Sequence, residues 1–103
     1  MKYIIPQDKV DKVIFQYLDM NLRNLEKRKA AYYDGITFAY PDKEHGILGY
    51  ENDGTLYIYD VLIDEISNGF GLKESDTKSV ITRWVVDKLQ LDVKDTIIGL
   101  LIY

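Results

Sequence analysis

The chain has 103 residues, 47% of them hydrophobic and 29% charged, which supplies one self-standing core and too little length for a second. With no cysteine and one histidine, disulfides, thiolate metal sites and cysteine nucleophiles are excluded, and a reducing, cytoplasmic setting is expected. Thirteen Lys and Arg against seventeen Asp and Glu give a net charge of −4, which works against unspecific binding to phosphate, and a membrane-spanning helix is not expected.

Tyr3, Ile4 and Ile5 before Pro6 predict a short first strand, and this start is too brief for a signal-peptide core. Val10, Val13, Ile14, Tyr17, Leu18 and Leu25 then recur every three or four residues, the pattern of an amphipathic helix. Pro6 and Asp8 suit its first turn, where an N–H has no partner and negative charge is favoured. The helix is expected to end between residues 25 and 30, with Arg23, Lys27, Arg28 and Lys29 in its last turn.

Asp34 and Gly35 break the chain, and residues 36–40 alternate large and small side chains as a strand does. Residues 41–46 read as a turn. Residues 47–51 and 55–59 flank Asn52, Asp53 and Gly54, the signature of a hairpin. A three-residue loop, with Asn52 and Asp53 in a type I turn and Gly54 left-handed, pairs Glu51 with Thr55. Leu48, Tyr50, Leu56 and Ile58 then share one face, and Ile47, Gly49, Glu51, Thr55, Tyr57 and Tyr59 take the other. A two-residue Asp-Gly turn would mix these sets, so the clean segregation selects the longer loop.

Asp60 is expected to cap a short helix over 61–68 that turns Leu62, Ile63 and Ile66 inward and stops at Gly69, Phe70 and Gly71. Ser75 is expected to cap a longer one over 76–89, with Val80, Ile81, Trp84, Val85 and Leu89 as its buried stripe. Residues 96–103 are apolar and branched and read as a last strand. The order predicts a single domain over 1–103 of α+β class, a small, mostly antiparallel sheet with a central hairpin packed against about three helices. An apolar last strand left uncovered invites pairing with another chain, so it either inserts centrally or joins copies into a homo-oligomer.

Catalytic motifs are missing. His45 sits in a charged turn with no nucleophile elbow in the chain, no acidic run has the spacing of a calcium loop, and Gly69 and Gly71 follow a helix rather than the strand of a phosphate-binding fingerprint. No cofactor and no enzymatic activity are expected. Over residues 63–80, Ile66, Ser67, Phe70, Gly71, Leu72 and Val80 resemble the register of a helix-turn-helix, although Thr77 stands where that motif uses a branched apolar residue. Glu74 and Asp76 would open the recognition helix, where they repel phosphate. The motif therefore reads as a structural corner before it reads as a nucleic-acid contact, for which Arg23, Lys27, Arg28 and Lys29 are the candidate cations.

Two patterns remain. Charge is segregated, with +3 over residues 1–31, −7 over residues 32–69 and zero over the rest. Nine tyrosines are present, and Tyr32, Tyr33, Tyr40, Tyr50, Tyr57 and Tyr59 fall in the strand-rich middle. Tyrosine desolvates well and keeps a hydroxyl for hydrogen bonding, which suits an interface. Tyr57, Tyr59, Ile47 and Glu51 are therefore the expected partner-binding residues. The strings at residues 34–36, 50–58 and 83–85 resemble small phage-encoded proteins of no assigned activity, and the resemblance implies a phage accessory protein or a modulator of a host factor. The expected function is that of a non-enzymatic protein-interaction module, with a helix-turn-helix-like nucleic-acid-binding domain as the alternative.

Overall fold

The computed structural model describes residues 7–22, 24–31 and 33–99. The elements run in the order α1 (Gln7–Asn21), β1 (Glu26–Lys29), β2 (Gly35–Ala39), β3 (Leu48–Glu51), β4 (Thr55–Tyr59), α2 (Asp60–Phe70), α3 (Glu74–Trp84) and β5 (Asp95–Gly99), with α3 running on into a π-helical turn, Val85–Leu89. The strands form one five-stranded sheet in the order β1-β2-β3-β4-β5. The first four pair antiparallel, and β5 returns parallel to β4 after the two-helix crossover. This is an α+β fold with three helices on a mostly antiparallel sheet.

The hairpin takes the three-residue loop. Leu48 pairs with Ile58, Gly49 with Tyr57 and Tyr50 with Leu56. Gly54 has φ of 101°, its N–H donates to the Glu51 carbonyl at 2.9 Å, and the Asp53 carboxylate accepts the Thr55 N–H at 3.0 Å. Phe38, Leu48, Leu56 and Ile58 thereby face one way and join Ile14 and Leu18 of α1, Leu62, Ile63 and Ile66 of α2, and Val80, Ile81 and Trp84 of α3 in a single buried cluster. Full burial of each such side chain contributes about 1.5–3 kcal/mol. Since all three helices share this core, no helix lies on the opposite sheet face among the described residues.

Several expectations are corrected. The strand over residues 3–5 lies outside the described residues. Helix α1 ends at Asn21, and Glu26, Lys27, Arg28 and Lys29 form the edge strand β1 rather than a last helical turn. An edge strand bonded on one side can turn both rows of side chains to water, so β1 carries no apolar alternation to betray it. Helix α2 begins at Asp60 itself and keeps Gly69, with Gly71 in the left-handed conformation as its C-cap. Helix α3 begins at Glu74, one residue before Ser75. The last strand takes the edge beside β4 and not a central place, and residues 100–103 lie outside the described residues. Among the described residues no helix is long and apolar enough to cross a membrane.

The helical corner resolves the departure at Thr77. That residue is buried, its hydroxyl donates to the Lys73 carbonyl at 3.1 Å, and the Ser67 hydroxyl lies 2.7 Å away. A hydroxyl has one proton, so Ser67 must be the donor to Thr77. The polar pair stands where an apolar contact would otherwise join α2 to α3.

Candidate functional site: the tyrosine face of the sheet

The helix-free face is built by strand alternation. Opposite the core row, β4 presents Thr55, Tyr57 and Tyr59, and the register sets Gly49, Ile97 and Gly99 beside them. Glycine at two of these positions leaves flat recesses that aromatic rings fill. A side chain at Gly99 would come within 3.0 Å of the Tyr59 ring, and one at Gly49 would meet the hydroxyls of Tyr33 and Tyr59. Tyr33, from the loop before β2, leans on Tyr57 with ring centroids 5.2 Å apart and planes tilted by 38°. Its hydroxyl is buried and, among the described residues, makes no hydrogen bond of good geometry. Ile97 keeps 44% of its surface exposed in the middle of β5.

The border toward the hairpin is acidic. Tyr57 donates its hydroxyl to Glu51 at 3.2 Å. Glu51 and Asp53 then line an open concavity of about 570 Å³ together with Tyr33, Asp34 and Asn52. Glu51 is held above the usual carboxylate range, first by a hydrogen bond shared with Asp53 and also by the charges of Asp53 and Asp34. Asp53 is held below that range by its bonds to Thr55, with Lys94 adding a smaller contribution. Among the described residues no group of three or more His, Cys, Asp or Glu is placed to hold a metal ion.

Burial raises the phenols of Tyr17, Tyr40 and Tyr57, and pushes Tyr59 up to about 12 with help from Tyr33. A raised acid in the folded state means that the protein holds this proton more tightly than the unfolded chain does. Stability from Tyr59 is therefore intact below pH 10 and lost as pH rises from 10 to about 12. Alkaline titration followed by phenolate absorbance and by circular dichroism is expected to show late-ionising tyrosines and a base-induced unfolding limb. The limb should move to higher pH in Tyr59→Phe, and an unmoved limb would place the alkaline sensitivity elsewhere.

Three of the four predicted partner-binding residues come together here: Tyr57, Tyr59 and Glu51. The fourth does not. Main-chain pairing does extend one step beyond β3, since the Tyr59 N–H donates to the Ile47 carbonyl at 3.1 Å. The Ile47 side chain nevertheless belongs to the core cluster at 7% exposure, because the chain leaves the pleat where β3 begins. It lines a separate notch of about 360 Å³ with Tyr40, His45 and Val61. Tyr33, Asp34 and Asp53 are site residues that periodicity did not reveal. The one available signal was Gly49, a gap in an otherwise large-residue face.

The predicted basic cluster is dispersed. Arg23 lies outside the described residues. Lys27 and Lys29 project from β1 on the side opposite Arg28 and are exposed. The Arg28 guanidinium folds over the following turn, donating to the Lys43, Glu44 and Tyr40 carbonyls at 2.7, 3.2 and 3.3 Å and twice to the Glu26 carboxylate. All five of its donors are thereby engaged. On the helix-turn-helix side, Arg83 pairs with Asp11 and Lys88 stands 3.8 Å from Asp19, while Glu74 and Asp76 occupy the first turn of α3. In comparisons with known proteins, the chain matches no family model, no curated protein and no solved structure.

Proposed function

We propose that the chain is a non-enzymatic protein-interaction module that docks its partner on the open sheet face around Tyr57, Tyr59 and Ile97. The observation that carries this reading is the asymmetry of the sheet. One face is sealed by three helices, while the other bears packed tyrosines and a 44% exposed isoleucine. Rigid tyrosines give contact area at low entropic cost, and residues of this kind dominate binding energy when a partner excludes water from them. In the phage setting that the sequence resemblance implies, the module would serve as an accessory factor or a modulator of a host protein.

A photo-crosslinking residue placed at position 97 tests this, with position 86 as control. Val86 is an equally exposed apolar residue, at 45%, in the π-helical turn. In cells that make the protein, position 97 is expected to give an adduct of discrete mass, position 86 none, and Ile97→Lys is expected to weaken the complex about tenfold or more. No adduct from position 97, or equal adducts from both positions, would refute the docking reading.

A further inference from the structure

The open face is not neutral. It ends, at the hairpin, in the concavity where Tyr33 supplies a ring and Asp34, Glu51 and Asp53 supply carboxylates. Lys94, whose stem lies against Gly54, is a cation near Asp53, so among the described residues three negative groups face one positive group. The Glu51 carboxyl is held above its ordinary range by the Asp53 carboxylate beside it, the direction in which crowded carboxylates shift one another. The segment that supplies β2 to β4 of the face, residues 32–69, carries a charge of −7, more negative than the −4 of the whole chain. Aromatic area bordered by carboxylates matches one side-chain chemistry above others. A guanidinium can stack on a tyrosine ring and at the same time fork onto a carboxylate, whereas an ammonium makes only the point-charge contact.

Resting on the docking reading above, the geometry points to a partner segment in which an arginine is flanked by apolar side chains. The arginine enters the concavity between Tyr33 and the Glu51–Asp53 pair, and the apolar neighbours lie across Tyr57, Tyr59 and Ile97. The open face thus selects basic-apolar segments, and acidic segments are repelled by Asp34, Glu51 and Asp53.

The test uses capped Leu-Arg-Leu peptides, with citrulline or glutamate replacing arginine in two controls, titrated into the isotope-labelled full chain and followed by amide chemical shifts. Citrulline keeps the planar shape of arginine and removes its charge. The arginine peptide is expected to shift residues 33–35, 51–55, 57 and 97, and to bind about tenfold more tightly than the citrulline peptide. High salt should erase that preference. Glu51→Gln and Asp53→Asn keep the acceptors for Tyr57 and Thr55, so both variants should fold and should bind arginine and citrulline peptides alike. Equal affinity of the three peptides for the native chain, or shifts confined to another surface, would overturn the arginine assignment. An adduct from position 97 alongside equal peptide affinities would sink this inference and leave the docking face standing; absence of that adduct would remove both.

Discussion

Replacing Trp84 with alanine is expected to cost about 3–5 kcal/mol of folding stability, a large share of the roughly 5–15 kcal/mol that holds a domain of this size together. The indole is 2% exposed and sits in the core between α3 and α1. Its loss leaves a cavity and also orphans a polar tie, since the indole N–H donates to the Asp19 carboxylate at 2.9 Å. Asp19 stands on α1, and the other oxygen of its carboxylate lies 3.8 Å from the Lys88 ammonium. Just over two turns toward the N-terminus, Asp11 takes the Arg83 guanidinium. Two acids of α1 are therefore matched to three donors from α3 and the turn beyond it. Asp19→Ala separates the polar part from the packing part. It keeps the ring in place but leaves a buried N–H without an acceptor, a change worth about 1–3 kcal/mol. Denaturant unfolding followed by circular dichroism should rank wild type above Asp19→Ala and Asp19→Ala above Trp84→Ala. A Trp84→Ala protein as stable as wild type would mean that α1 is held by other contacts.

The hairpin shows what can be read from sequence here and why. Asn52, Asp53 and Gly54 admit two loop lengths, and only one separates Leu48, Tyr50, Leu56 and Ile58 from Gly49, Glu51, Tyr57 and Tyr59; the register follows from burying one set. The stripe of α3 was legible for the same reason, as Val80, Ile81, Trp84 and Val85 enter the core together. Strand β1 was not, because Glu26, Lys27, Arg28 and Lys29 are chosen for water on one side and for the 40–44 turn on the other. No local pattern announces that Arg28 will spend its donors on carbonyls twelve to sixteen residues away. The site divides along the same line. Tyr57, Tyr59 and Glu51 were visible because strand alternation groups them, whereas Tyr33 reaches the face through a loop, and loop geometry is fixed by contacts distant in sequence.

Gly35→Ala is the second substitution expected to act strongly, at about 3 kcal/mol, the upper end of the range for forced overpacking. A β-carbon on Gly35 would stand 1.9 Å from the Tyr50 carbonyl oxygen and 2.9 Å from the Glu51 Cα. Both are main-chain atoms, so no side chain can swing aside and β2 must move away from β3. The consequence reaches the tyrosine face. The Gly35 carbonyl accepts the Ala30 N–H at 3.1 Å, and the neighbouring Asp34 carbonyl accepts the Asn52 N–H at 2.7 Å; together these bonds fix the loop that carries Tyr33 over Tyr57. Gly69→Ala provides the opposite case. Gly69 is exposed inside α2 with nothing within 4 Å of an added β-carbon, so alanine there should stabilise by about 0.5–1 kcal/mol through helix propensity and a less free unfolded chain. Thermal unfolding should move the two variants in opposite directions. If the Tyr33 loop is part of the docking surface, Gly35→Ala should also weaken crosslinking from position 97 at temperatures where the variant remains folded, while Gly69→Ala leaves it unchanged. Retained crosslinking in a folded Gly35→Ala protein would confine the surface to Tyr57, Tyr59 and Ile97 and exclude Tyr33 from it.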